Sequence, residues 1–243
     1  QEVISAVKAE GITKLICVGY NRQSSQEAIK IANEYDFIYS TCGISPNDIP
    51  QTEQKLWKDI EGIKKILQTG NKKIVAIGEI GLDYYWNKEN AELQKNAFIE
   101  QIKIANENDL PIVIHTREAV ADTIDILKNK IVVSNKGIFH CCPLNRELVK
   151  EALKLGFYIS LAGPVTFKNS KNANEIIDMI PLDKILIETD SPYLSPEPLR
   201  GKRNDSRNVK YIAQKIAEVK QMELEDIAKI TYENAERIFK MRK

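Results

Sequence analysis

Short runs of apolar, largely β-branched residues recur along the chain, each followed by a longer stretch whose apolar positions fall at helical spacing. The runs are LICVGY (15–20), FIYSTCGI (37–44), IVAIGEIG (74–81), PIVIHT (111–116), GIFHCC (137–142), FYISLAG (157–163) and ILIETD (185–190). Near-continuous hydrophobicity of this length predicts strands covered on both faces. Between them, Phe98, Ile102 and Ala105 stand at i, i+4 and i+7, and Val3, Ala6 and Val7 share one face of an opening helix. Gly11 and Gly156 follow helical runs at the place of a left-handed cap. Helices over 207–220 and 223–241 close the chain, so the pattern is βαβα throughout.

Strands joined by helical crossovers pair in parallel. The repetition through seven strands, with no Gly-rich phosphate turn after the first, favours a closed TIM-type (β/α)8 barrel over an open doubly wound sheet. No linker or low-complexity tract interrupts it, which predicts a single domain over 1–243. The sequence opens in a helix, with Gln1 where a start methionine would stand. The expectation is therefore that the first strand is missing and the chain truncated upstream, since a seven-strand arc leaves unpaired edges.

Composition narrows the classes. Lys and Arg total 35 against 34 acidic residues, a net charge of +1, so any nucleic-acid role needs a local basic patch. The four cysteines, Cys17, Cys42, Cys141 and Cys142, form no CxxC pair and are too sparse for a disulfide scaffold. A reducing, cytoplasmic setting is expected. No apolar run is long enough to span a bilayer, and QEVISAVKAEG reads as an amphipathic helix, not a signal peptide.

The active site of a parallel barrel lies at the C-terminal ends of its strands. Glu79 ends IVAIGE, His115 ends PIVIH, His140 ends GIFH and Asp190 ends ILIETD, and these are the only two histidines in the chain. Each alone has an ordinary alternative, a helix cap or a hydrogen bond to a neighbour. Together, four such groups ending otherwise apolar strands point to a metal site. Mixed imidazole and carboxylate donors suit Zn²⁺, Mn²⁺ or Mg²⁺. A metal acidifies water and polarises the bond to be cleaved, with Asp190 the expected base and Glu79 the other catalytic carboxylate. Glu188, two residues before Asp190, reads as a buried partner.

The segment SPYLSPEPLRGKRN (191–204) carries Arg200, Lys202, Arg203 and Asn204 beside Asp190, donors suited to a phosphodiester. Arg117 is a further phosphate candidate that could instead pair with Glu118. Cys141 and Cys142 read as packing residues because neighbours on a strand face opposite ways. Tyr84, Tyr85 and Trp86 could pack or offer stacking surfaces to bases.

With these residues in view, the chain resembles the TatD-type deoxyribonuclease family of the amidohydrolase superfamily. GEIGLDYYW (78–86), PIVIHTREA (111–119), GIFHCC (137–142) and ETDSPYLSPEPLRGKRN (188–204) match its motifs in order over nearly the whole chain. The resemblance implies that Glu79, His115, His140 and Asp190 hold one or two divalent metal ions. It also implies metal-dependent cleavage of DNA, often from the 3′ end, with no membrane and no obligate protein partner. Some relatives act on aminoacyl-tRNA esters, so hydrolysis of D-aminoacyl-tRNA or a small ester or amide is the alternative. Two departures stand out: nothing matches the family's first-strand HxH pair, and Gly43-Ile44-Ser45-Pro46 replaces its GxHP. Both motivate a third reading, a catalytically degenerate barrel that only binds.

Overall fold

The computed structural model describes residues 2–241, leaving Gln1, Arg242 and Lys243 outside. The described residues divide into two compact units, one over 14–138 and one made of 2–13 with 139–241.

In the first unit, β1 (Leu15–Cys17), β2 (Ile38–Cys42), β3 (Ile74–Asp83) and β4 (Ile112–Arg117) lie side by side in chain order, each neighbouring pair parallel. The crossovers are α2 (Arg22–Glu34), α3 (Glu53–Leu67) and α4 (Ala91–Glu107), as helical spacing between apolar runs requires. After β4, α5 (Val120–Asp125) passes into a π-helical turn at Ile126–Lys130. Ile38, Ile77, Ile80, Leu82, Ile112 and Ile114 are buried, as are Leu56, Ile60 and Ile63 on α3. The predicted face of α4 is buried too, at Phe98, Ile102 and Ala105. Each large side chain removed from water contributes about 1.5–3 kcal/mol. Entry into α2 is set by a capping box, in which Asn21 accepts from the Ser24 amide and Ser24 Oγ accepts from that of Asn21.

Two glutamines on α4 contradict the expectation that such residues face water. Gln94 and Gln101 are fully buried, two helical turns apart. Gln101 Oε1 accepts from the Ile44 amide at 2.7 Å while its Nε2 donates to the Ile44 carbonyl at 3.0 Å. Gln94 treats Asp83 the same way, at 2.8 and 3.0 Å. Each side-chain amide thus satisfies a peptide donor and acceptor beyond the reach of the strand ladder. One helix thereby fixes the chain at the end of β3 and just past β2.

In the second unit, β6 (Tyr158–Leu161) and β7 (Ile185–Ile187) pair in parallel. Around them are α1 (Glu2–Ala9), α6 (Arg146–Lys154), α7 (Ala173–Met179), α8 (Val209–Lys220) and α9 (Leu224–Phe239). Ile159, Leu161, Ile176, Ile177, Ile185, Ile212, Ile216 and Ile227 form its buried core. Asn234 of α9 donates to the carbonyls of Leu182 and Ile185 at 2.8 and 2.9 Å, fixing the entry to β7. The short β5 (Gly137–Phe139) joins the two units in sequence.

Every apolar run contains a strand, but their extents differ from the pattern. On α1 only Val7 is buried and Val3 is 56% exposed, so the opening helix packs by a narrower stripe than its sequence suggests. Strand β3 is longer than its apolar run, continuing to Asp83 and placing Glu79 inside the strand. Strand β7 is shorter: a turn in which the Asp190 carbonyl accepts from the Tyr193 amide at 2.8 Å bends the chain away. Asp190 therefore lies in the loop three residues past the strand.

Candidate metal centre

In the first unit the chemistry gathers where β3 lies against β4. The β3–β4 register shifts between Ile77 and Ile80, an irregularity of the kind that re-aims a side chain, and Glu79 sits within it. The Glu79 amide donates to the Gly19 carbonyl at 3.0 Å, and Glu79 Oε1 accepts from Ser45 Oγ at 2.8 Å. Ser45, which departs from the family's histidine, thus holds the carboxylate by a hydroxyl. Opposite, His115 Nδ1 lies 3.6 Å from Glu79 Oε1.

The other ring nitrogen is already committed. His115 Nε2 lies 2.9 Å from Oδ2 of Asp83, whose side chain is 1% exposed. Asp83 also accepts from Asn47 Nδ2 at 3.2 Å and from the amides of Tyr85 and Trp86 at 3.0 and 3.2 Å. Burial alone would raise its carboxyl, but the His115 contact, the Trp86 amide and Asn47 outweigh it and hold it below the usual range. An ionised carboxylate only accepts, so His115 carries its proton on Nε2 and turns Nδ1 toward Glu79. Asp48 adds to the local negative charge: burial pushes its carboxyl up against a bond from Asn21, and Glu79 pushes it further. A cation would relieve that crowding. Two donors each about 2.1 Å from a shared ion stand about 3–4 Å apart, so Glu79 and His115 fit a divalent ion.

In the second unit His140 follows β5 directly. Its Nδ1 lies 3.2 Å from Glu188 Oε1, which also accepts from the Cys141 amide at 2.6 Å. Glu188 Oε2 accepts from Ser160 Oγ at 2.7 Å. Burial opposes ionisation of Glu188, and the charge and hydrogen bond of His140, with Ser160 and the Cys141 amide, overcome it and lower its pKa. Glu188, half-buried, is thus a structural partner that orients the His140 ring through Nδ1. Burial pushes the Cys42 thiol up to about 12 and the Cys142 thiol up as well, with Glu188 adding to the latter, which leaves both inert as nucleophiles.

The substrate candidates divide. Arg117 is exposed and lies on Tyr85, and Arg200 lies 3.8 Å from the Phe167 ring centroid and donates to the Ser195 carbonyl at 3.3 Å. Lys202 and Arg203 are exposed. Asn204 differs from its expected role: it is 2% exposed, donates to the Tyr193 carbonyl at 2.7 Å and accepts from Asn208 at 2.8 Å. Its side chain is committed to holding the loop. Asp83, Gln94 and Gln101 were not singled out from the sequence. Asp83 shares a strand face with Glu79, four residues earlier, a relation that shows only once β3 is seen to run to Asp83.

Replacing Asp83 by asparagine is expected to weaken divalent-metal binding by about 10- to 100-fold. All four of its partners are donors, so an amide must turn its own N–H toward one of them. Titration calorimetry with Mn²⁺ checks this, and an unchanged Kd would remove Asp83 from any role at the metal.

The crystal structure of YJJV, a TatD homologue from Escherichia coli K12, superposes with a TM-score of 0.92 at 22% identity, covering 99% of this chain and 92% of that one. YabD of Bacillus subtilis strain 168, described as an uncharacterized metal-dependent hydrolase, is 46% identical over 242 residues, 99% of this chain and 92% of that protein. The 3′-5′ ssDNA/RNA exonuclease TatD of Citrobacter rodentium strain ICC168 is 32% identical over 243 residues, 98% of this chain and 90% of that protein. The fold and these relatives define a metal-dependent hydrolase on a TIM-type barrel. The chain belongs to the family described as TatD related DNase, whose model matches residues 1–240. Among the described residues no helix is long and apolar enough to cross a membrane.

Proposed function

We propose that the protein is a deoxyribonuclease that removes nucleotides from the 3′ end of DNA, using one or two divalent ions, Mg²⁺, Mn²⁺ or Zn²⁺. Glu79, His115, His140 and Asp190 are the ligands in this reading. The observation that carries it is the Asp83–His115–Glu79 arrangement, in which a buried carboxylate dictates which nitrogen of a histidine faces a second carboxylate 3.6 Å away. The name of the Citrobacter relative supports the choice of nucleic acid as substrate.

A bound ion supplies Lewis acidity at the scissile phosphate and lowers the pKa of water. The Asp190 carboxylate accepts a proton as water attacks phosphorus, the bond to the departing sugar oxygen breaks and that oxygen takes up a proton, with Glu79, held by Ser45, the other carboxylate of the site. Arg117, Arg200, Lys202 and Arg203 hold the phosphodiester oxygens by charge-assisted hydrogen bonds. The four free cysteines accord with a reducing compartment, and we place the protein in the cytoplasm.

The test is cleavage of a 5′-labelled single-stranded DNA by protein stripped with EDTA and then restored with each ion. Restored protein is expected to shorten the label stepwise, and stripped protein to leave it intact. A D-aminoacyl-tRNA run in parallel separates the ester-hydrolase alternative. Inactivity on every DNA form with all three ions would remove the nuclease assignment.

A further inference from the structure

Past Asp83 the chain turns outward as Tyr84-Tyr85-Trp86, and the three rings part company. The Tyr84 hydroxyl donates to Asp122 Oδ2 at 2.7 Å, and the same oxygen meets Lys95 Nζ at 2.8 Å, so Tyr84 is tied down. Tyr85 and Trp86 are 50% and 68% exposed. Their rings meet edge to face, centroids 4.8 Å apart at 88°. The guanidinium of Arg117, the last residue of β4, lies 3.7 Å from the Tyr85 centroid and 5.7 Å from that of Trp86. Single exposed aromatic residues are ordinary on protein surfaces. Here two are joined to each other and to a cation, and their backbone amides are pinned by Asp83 Oδ1. Oδ2 of the same carboxylate faces His115, so one side chain places both the aromatic turn and the histidine.

We propose that Trp86, Tyr85 and Arg117 form a stacking subsite for an unpaired base of a single-stranded nucleic acid. This rests on the nuclease reading above and names the residues of this chain that would hold an unpaired base beside the site. Flat aromatic faces accept the face of any base, and a guanidinium beside them meets both base and phosphate. Bases inside a duplex already stack on one another, so the platform selects a single strand or a frayed end. Stacking uses the π-face that every base carries, so recognition is tolerant of sequence. The turn is held in place before substrate arrives, which lowers the entropy lost on binding.

Trp86 is its own reporter. The other tryptophan, Trp57, lies on α3 with its indole donating to Glu53, and Trp57→Phe removes its emission. In that background, with EDTA present to prevent turnover, a thymidine oligomer is expected to quench Trp86 and to bind more tightly than an abasic oligomer of equal length. Trp86→Ala is expected to weaken the thymidine oligomer roughly 5- to 100-fold, read by anisotropy of a labelled strand, and Trp86→Phe to retain most of the affinity. Equal affinity for the two oligomers, or a Kd unmoved by Trp86→Ala, would overturn the subsite. Metal-restored wild type separates the parent reading: DNA cleavage with a KM unchanged in Trp86→Ala overturns the subsite alone, and absence of cleavage overturns both.

Discussion

Asp190→Ala is expected to lower turnover of single-stranded DNA by about 100- to 10,000-fold, the span associated with loss of a positioned proton acceptor. The residue sits in the loop that leaves β7, half-buried, where its carbonyl closes a turn with Tyr193. That turn is made by backbone, so alanine preserves it and the melting temperature should move little. Because Asp190 is proposed as both ligand and base, two measurements are paired. Metal affinity by calorimetry reports the first role and turnover at saturating metal the second. A variant that regains wild-type turnover once metal is saturating keeps Asp190 as a ligand and removes it as the base. Wild-type turnover and affinity together would remove it from the site.

Gly81→Ala is expected to destabilise the protein by about 3 kcal/mol or more, or to prevent soluble expression. Gly81 has φ +140°, a conformation that L side chains rarely adopt, and a Cβ there would overlap the backbone carbonyl of His115. Gly81 and His115 are paired in the β3–β4 register, so the overlap forces the strands apart where Glu79, Asp83 and His115 are assembled. Gly70→Ala is the control: its φ is +66°, but a Cβ would meet nothing within 4 Å, which limits the cost to about 1–2 kcal/mol of backbone strain. Chemical denaturation of both variants checks the contrast. Equal losses would show that backbone strain, not the closeness of the strands, governs Gly81.

The seven strands were legible because a parallel strand covered on both faces leaves an unbroken apolar run, as at PIVIHT, and few other structures do. Their ends were not. Nothing in GEIGLD marks that β3 continues to Asp83, because the aspartate reads as a turn residue and Gly81 as a breaker. The histidines and Glu79 stood out as charged or polar groups in apolar strands. Asp83 was hidden by its position, and Ser45 by its chemistry, since a serine after a strand is ordinary until its hydroxyl is seen on Glu79. Asn204 was misread for the opposite reason. Its basic neighbours suggested phosphate, whereas the chain used its amide to tie a Pro-rich loop together. The two buried glutamines of α4 carried no signal at all, because a glutamine on a helix normally faces solvent.

Those glutamines decide where this chain tolerates change in length. A residue inserted into α4 between Gln94 and Gln101 would turn one relative to the other by about 100°, and no repacking of apolar side chains could give Ile44 or Asp83 back its lost partner. The stretch between them is a gauge block, its length frozen by two bidentate grips on backbone. The turn before α4 is held in length by Asp83 and Gln94, which grip Tyr85, Trp86 and Asn87, but the side chains of 85–89 are exposed and can vary in kind. Divergence in substrate preference can then accumulate in that turn while the spacing of the grips, and with it the setting of Asp83, stays constant.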